Sequence, residues 1–319
     1  MRPSVTVIVV NWNSGELLKE CLLKLNSQTI QPSHVLVMDN GSTDGSDLIA
    51  ENIPNIIVHR LNFNYGFAAA NNLAFEKCTT EYIALLNPDA FPNPDWLEQL
   101  LNAAEANPDV AAFGSRQMVY GKTDVLDGIG DVYHISGLVW RDGYGRNQTC
   151  GDLISREIFS PCAGAALYSH NAIAALGGFD EDFFCYVEDV DLGFRLRLAG
   201  YKSLYVPKAV VSHVGSATSG GQHSDFSIYY GHRNLVWTFL KNMPGILLWT
   251  LLPFHISLNI ITVIYFILLG KGSVILKAKK DAIKGLTECL RKRSIIQNQR
   301  NASISDIWKI LDKRIYSYK

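Results

Sequence analysis

The stretch IALLNPDAFPN, Ile83–Asn93, decides the fold. An apolar run stops abruptly in a proline turn that carries one carboxylate, Asp89. Three earlier runs end the same way: VTVIVVN (5–11), HVLVMDN (34–40) and IIVHRLN (56–62). Helix-like amphipathic stretches lie between or after them, at Gly15–Ser27, Gly66–Lys77 and Pro94–Ala106. Runs that are apolar on both faces and separated by helices are the mark of parallel strands covered by helices. The pattern predicts an α/β fold, a mixed, mainly parallel sheet flanked by helices. Ligands in such sheets bind outside the carboxyl ends of the strands. Here those ends hold Asn11, Asn13, Asp39, Asn40, Asn62, Asn64, Asn87 and Asp89. One Asn or Asp there is an ordinary turn or cap residue. All four ends being polar points to a polar site.

The 319 residues suffice for a large core, and 48% hydrophobic with 18% charged residues is a globular composition. A net charge of −1 excludes a general nucleic-acid binder, which needs a cationic excess to face phosphates. The six cysteines are scattered without a C-x-x-C pair, so neither a zinc site nor a disulfide framework is expected. Neither G-x-x-x-x-G-K-[ST] nor G-x-G-x-x-G follows the first strand, which argues against P-loop NTPases and ordinary dinucleotide dehydrogenases. GIGDVYHISG (128–137) reads as a glycine-rich loop.

Several residues carry candidate chemistry. Asp39, at a strand end before a Gly/Ser turn, is placed to accept hydrogen bonds from a nucleobase or ribose. Gly66 opens a helix whose backbone N–H groups suit a diphosphate. Asn71 and Asn72 lie one to two turns further on, where packing alone would also explain them. The densest charge cluster is GGFDEDFFCYVEDVDLGFRLRLAGY (177–201). A helix over Glu188–Ala199 puts Asp189, Leu192, Leu196 and Ala199 on the stripe facing the sheet. Glu188, Asp191 and Arg195 then share another face, with Asp191 and Arg195 forming an ordinary i,i+4 ion pair. Asp189 is the carboxylate directed at the crevice, a general base whose pKa is raised by Glu188 and Asp191. His213 ends the apolar run in YVPKAVVSHVGS (205–216).

Beyond residue 240 the chemistry changes. Pro244–Gly270 contains no Asp, Glu, Lys or Arg and is long enough to cross a bilayer. From Lys271 onward 13 Lys and Arg face 4 Asp and Glu. Pro253 and His255 disfavour a simple span, so a re-entrant or in-plane hairpin is expected, with the basic tail on anionic headgroups. A single span and a buried apolar helix are the alternatives. The division expected is 1–220 for the α/β domain and 221–319 for a helical region, with membrane segment 244–270 and basic tail 271–319.

Six pieces, in order, resemble the family-2 inverting glycosyltransferases with the GT-A fold, in particular their rhamnosyltransferase-like branch: VIVVNWNSGELLKECL, VMDNGSTDGS, NYGFAAANN, LLNPDA, the Glu188–Asp189 cluster and YVPKAVVSHVGS. They span about two-thirds of the chain. The resemblance implies a nucleotide-sugar donor, dTDP-rhamnose foremost, a divalent metal (Mg2+ or Mn2+) and direct displacement at the anomeric carbon. By position it makes Asp189 the catalytic base, with Glu188 orienting the acceptor hydroxyl. Asn11, Asn13 and Asp39 fall on the donor side and Asp89 and His213 at the metal. Gly66, Asn71 and Asn87 are further donor-side candidates and Asp191 is an acceptor-side one. So is Arg233, from its place in YYGHRN before the apolar segment, where a surface role is the alternative. The family's D-x-D has Asn87 in its first position here. One direct carboxylate ligand is therefore expected, with donor phosphates and water completing the shell. A lipid-linked cell-envelope glycan as acceptor would account for the apolar segment and place the enzyme on the cytoplasmic face of the membrane. Another hexose, a nucleotidyltransferase and a non-catalytic sugar-nucleotide scaffold are the competing functions.

Overall fold

The computed structural model describes residues 2–215 and 224–314. Positions 221–223 at the start of the helical region and 315–319 of the basic tail therefore lie outside the described residues. The α/β part runs β1 (Val5–Asn11), α1 (Gly15–Asn26), β2 (His34–Asp39), α2 (Ser46–Glu51), β3 (Ile56–Arg60), α3 (Phe67–Phe75) and β4 (Tyr82–Leu86). It continues through β5 (Ala90–Pro92), α4 (Trp96–Ala106), β6 (Val110–Val119), β7 (Leu126–Gly128) and a hairpin of β8 (Asp131–Tyr133) and β9 (Val139–Arg141). It ends with β10 (Arg156–Glu157), β11 (Ala165–Ser169), α5 (His170–Ala175), α6 (Glu188–Leu198) and β12 (Lys202–His213). Five helices follow: α7 (Asp225–Asn242), α8 (Gly245–Leu268), α9 (Gly272–Lys284), α10 (Leu286–Asn298) and α11 (Ile304–Ile310).

The main sheet has the order β10-β12-β6-β11-β4-β1-β2-β3. The four strands read from the sequence are parallel neighbours, with Asn11 of β1 paired to Asp39 of β2. β11 runs antiparallel between β4 and β6, so the sheet is mixed as expected. Alternation along each strand explains why the runs are wholly apolar. Val5, Val7 and Val9 join a core with Leu18, Leu22, Trp96 and Leu100 of α1 and α4. Ile8, Leu36 and Leu85 point the other way, onto Ala68 and Phe75 of α3 and Leu192 and Leu196 of α6.

α6 departs from the amphipathic expectation. Its sheet-facing stripe is as read, but its opposite side is also buried. Val190, Phe194 and Leu198 pack with Phe239 and Met243 of α7 and Leu247, Leu248 and Leu251 of α8. The Asp191–Arg195 pair is therefore no surface pair. Asp191 is 0% exposed, accepting from Arg195 Nε at 2.8 Å and Asn242 Nδ2 at 2.7 Å, with Lys241 Nζ at 2.9 Å. Removing one partner from such a buried set typically costs about 3–5 kcal/mol, so these charges fasten α7 to α6. The helical region thus shares a core with the α/β part.

The apolar segment forms one continuous helix of 24 residues, not a hairpin, and Pro253 is accommodated within it. The hairpin expectation rested on a kink at Pro253 and on the polar His255, but the missing N–H of Pro253 costs one helical hydrogen bond and His255 is partnered by Ser136 and Phe239. The N-terminal half packs inward through Leu247, Leu248, Leu251 and His255, whose ring stacks on Phe239 at 4.0 Å and whose Nδ1 lies 2.8 Å from the Ser136 carbonyl oxygen. The outer side stays exposed along the length, at Ile246, Trp249, Ile256, Ile260, Ile264 and Leu268.

Candidate active site

Four strand ends and one helix start converge at the carboxyl edge of the sheet. On the donor side, the β1–β2 pairing sets Asn11 against Asp39. Asn11 Nδ2 donates to Asp39 Oδ1 at 2.8 Å, Ser46 Oγ at 2.8 Å and Ser42 Oγ at 3.1 Å. Asp39 Oδ2 also accepts the Ser42 N–H. Both residues are buried, so Asp39 is not the exposed carboxylate expected and Asn11 acts as its positioning partner. Asn13, half-buried in the left-handed region at φ 52°, accepts the Thr43 N–H and ties the first-strand loop to the β2 turn. Asn40 and Asn64 lock the next loop together at 2.9 Å.

Two donor-side expectations are corrected. Gly66 starts α3, but its φ of 88° serves a close approach rather than an anion. A Cβ there would lie 2.6 Å from the Phe184 carbonyl oxygen, and that oxygen already takes the Ala68 N–H. The helix start is therefore closed by protein. Asn71 is buried and donates to the Phe67 carbonyl one turn back, so it faces no ligand.

The metal-side expectation brings its residues together. Asn87-Pro88-Asp89 turns out of β4, with Asn87 half-buried against Gly164, and β5 then pairs with β12 so that His213 lies opposite Ala90. His213 Nε2 lies 3.3 Å from Asp89 Oδ1, and Nδ1 lies 2.8 Å from Asp127 Oδ2. Nε2 is buried and makes no well-formed hydrogen bond among the described residues, so it can ligate once its proton is lost. Although burial opposes its charge, Asp127 and Asp89 raise the His213 pKa to about 9. Burial works against the Asp89 charge as well, but His213 holds its carboxyl below the ordinary value. No cluster of three or more His, Cys, Asp or Glu suited to a metal occurs among the described residues. One carboxylate and one imidazole fit a divalent ion only if substrate oxygens and water fill most of its shell.

Asp127 and its neighbours were missed in the sequence. GIGDVYHISG is no loop: Asp131 begins β8, paired to Arg141 of β9. Arg141 ion-pairs with Asp127 and donates to Cys162 Sγ at 3.1 Å. Gly128 is needed because Arg141 lies across it, where a Cβ would sit 2.1 Å from Cδ. The alternating Val132, Tyr133 and Val139, Trp140 around a His-Ile-Ser-Gly turn were the available signal.

Asp131, Glu188 and Asp189 make a cluster of interacting acids. Burial and the Asp189 charge push Asp131 and Glu188 well above the carboxylate range. Asp189 is raised chiefly by burial rather than by Glu188 and Asp191, and is pulled back by hydrogen bonds from the Ala163 and Val190 N–H groups at 3.0 and 2.8 Å, with Arg141 adding a smaller lowering. Three close carboxyls cannot all ionise in a low dielectric. The backbone donors favour the charged form of Asp189, whereas burial and the Asp189 charge favour the protonated forms of Asp131 and Glu188. The acceptor-side expectations are corrected. Asp191 is sealed in the α6–α7 ion pair, and Arg233 spends its guanidinium on the Asp182 and Phe183 carbonyls and Asn234 Oδ1.

This site has relatives. The chain is 29% identical over 267 residues to the N-acetylglucosaminyl-diphospho-decaprenol L-rhamnosyltransferase of Mycobacterium tuberculosis, covering 74% of this chain and 87% of that one. It is 30% identical over 221 residues to the O-antigen chain rhamnosyltransferase WbaN of Salmonella anatum, covering 66% of each. The mannosyltransferase PcManGT from Pyrobaculum calidifontis, solved with GDP-Man and Mn2+, superposes with a TM-score of 0.54 at 19% identity, over 97% of this chain and 88% of that one. GalNAc-T7, solved with UDP, GalNAc and Mn2+, gives 0.61 at 14% identity, over 75% and 48%. These neighbours share the GT-A fold. Residues 6–177, more than half of the sequence, match the glycosyl transferase family 2 profile, and with an acid cluster beside a strand-end Asp the conclusion is direct: the chain belongs to glycosyl transferase family 2 and is an inverting glycosyltransferase.

Proposed function

We propose that the enzyme transfers rhamnose from dTDP-rhamnose to a hydroxyl of a lipid-linked cell-envelope glycan, with Asp189 as base. The observation that carries the chemistry is the Asp131–Glu188–Asp189 cluster, in which Asp189 is half-buried and accepts two backbone N–H groups that favour its charged form. Asp189 takes the acceptor hydroxyl proton as that oxygen bonds to the anomeric carbon, and the bond from that carbon to the diphosphate breaks. Nucleoside diphosphate leaves and the configuration inverts. Glu188 Oε2, buried without a partner among the described residues, supplies a proton donor toward the acceptor oxygens. Asn13 and the turn after Asp39 hold the nucleoside, and Asn87 stands at the diphosphate. Asp89 and His213 hold the divalent ion, which when bound supplies positive charge to the departing diphosphate. The rhamnosyl donor and lipid-linked acceptor are drawn from the two bacterial relatives. In a panel of nucleotide sugars with a polyprenyl-diphosphate glycan acceptor, nucleoside diphosphate release is expected with dTDP-rhamnose. Turnover confined to another donor would overturn the sugar assignment.

The helical region supports attachment to the membrane plane on its cytoplasmic face. α8 is about 36 Å long at ~1.5 Å per residue, but its first half is packed against the enzyme. Its far end packs too, with Phe266 buried against Ile228 of α7 and Ile275 of α9, so the stretch between the packed ends is well short of the ~30 Å hydrocarbon thickness. A continuous exposed stripe from Trp249, 67% exposed, to Leu268, 81% exposed, suits a helix lying in the interface, flanked by the basic tail. Each such side chain gains about 1.5–3 kcal/mol on burial. The double variant Ile260→Glu/Ile264→Glu is expected to stop co-flotation with anionic vesicles while the soluble fraction stays folded. Undiminished flotation would remove α8 from the attachment.

A further inference from the structure

The segment before the acid cluster is held in an improbable backbone. Phe184, with φ 64° and ψ −63°, is the centre of a three-residue turn closed by a 2.7 Å hydrogen bond from Cys185 N–H to the Phe183 carbonyl. Tyr186 and Val187 follow at φ 67° and 69°, and Val187 is the residue on which α6 begins. An aromatic or β-branched residue in this region costs on the order of 1–3 kcal/mol, and it persists only where surroundings impose it. Here they come from α7. Asn234, fully buried, presents one amide nitrogen to three carbonyls, those of Phe183 at 3.0 Å, Cys185 at 3.0 Å and Tyr186 at 2.8 Å. All three are acceptors, so only the NH2 end of the amide can face them, and its oxygen takes Arg233 Nε at 2.9 Å. Arg233 Nη2 bonds the carbonyls of Asp182 and Phe183, and its guanidinium lies over Trp237 at 4.3 Å and Tyr230 at 4.9 Å. Tyr230 in turn stacks on Phe184 at 5.0 Å.

We propose that Tyr230, Arg233 and Asn234 form a clamp on α7 that forces Phe183–Val187 into its strained path and so aims Glu188 and Asp189 at the acceptor hydroxyl. They are positioning residues: they touch the backbone that carries the base, not the substrate. The strained turn also closes the start of α3 through the Phe184 carbonyl, so the clamp sets the acid cluster against the donor-side loop. Because α7 leads directly into α8, the element that holds the base is continuous with the element read above as the membrane attachment.

The clamp rests on Asp189 being the base, and the test separates the two. Full-length Asn234→Ala and Asn234→Asp, the latter of the same shape but without the N–H donors, are assayed with Tyr230→Leu and Asp189→Asn for kcat, for donor KM and for binding of the free nucleoside diphosphate. A misplacement of about 1 Å at the reacting group costs on the order of 10²-fold in rate. Both Asn234 variants are expected to lose about that in kcat, and Tyr230→Leu less, while nucleotide affinity and donor KM stay within about threefold of the parent because the Asn13 and Asp39 loops are untouched. Unchanged kcat in the Asn234 variants, with Asp189→Asn inactive, overturns the clamp alone. So does a fall in kcat matched by an equal fall in nucleotide binding, the mark of general unfolding. If the Asn234 variants do not fold, Tyr230→Leu decides by the same split. Full activity in Asp189→Asn removes the base and the clamp together.

Discussion

Asp189→Asn is expected to lower kcat by about 10²–10⁴-fold, the range a positioned general base supplies, with nucleoside diphosphate binding retained. The substitution keeps shape and can keep the Val190 and Ala163 N–H contacts through its carbonyl oxygen, so the fold is not at stake. It removes the carboxyl in the cluster whose charged form the backbone donors favour. The pH dependence carries a second signature. Burial raises the Asp189 pKa above its ordinary value, and catalysis needs the ionised form. The acid limb of kcat is thus expected above the usual carboxylate range, with activity rising as pH rises through it. Steady-state rates across pH, with calorimetric nucleotide titration, check both points. An acid limb at an unperturbed carboxylate value would assign the base elsewhere, as would undiminished turnover in Asp189→Asn.

Loss of the strand-end acid is expected to have the next largest effect. Asp89→Ala removes the carboxylate that faces His213 Nε2, and should abolish metal-stimulated turnover and its sensitivity to chelator. His213 gives this prediction a sign. Its pKa is raised to about 9 in the metal-free protein, so a proton occupies the imidazole at neutral pH and must leave before Nε2 can ligate. Apparent Mn2+ affinity should therefore climb about tenfold per pH unit up to about pH 9, then level off. Titration of Mn2+ binding at pH 7, 8 and 9 reads this directly. A flat profile takes His213 out of the ligand set, and chelator-resistant turnover in the parent enzyme takes Asp89 out as well. Asn87, where a second Asp would stand, predicts that the ion is lost readily once the nucleotide departs, since the protein contributes few of its oxygens.

How much of this was legible in the chain varies with the range of the interaction. β1 to β4, the helices between them and the polar strand ends are local patterns, fixed by side-chain period and by what ends each run. Asp89, Glu188, Asp189 and His213 could be singled out because each sits at the end of an element. The order of the sheet, with β11 antiparallel between β4 and β6, depends on pairings between strands more than fifty residues apart and left no such trace. The same holds for Asp127, Asp131 and Arg141, which lie on short strands whose partners are one another and the strand-end His. Gly66 read as ligand-facing because a helix start suits anions. Only packing revealed that Phe184 already occupies the space. Asp191 read as half of an ordinary i,i+4 ion pair, and the sequence does not show that a second helix covers α6 and buries it.

By itself, the sequence determined the α/β class and the edge of the sheet that carries the candidate site, and it singled out the acids proposed for the chemistry, because periodicity and capping act over a few residues. Tertiary structure alone decided which of three neighbouring carboxyls receives donors that favour its charged form, since the Ala163 N–H, Arg141 and burial arrive from distant segments. It also decided that α7 grips the strained turn behind the base, because the strain is tolerated only when contacts from another part of the chain over-determine it.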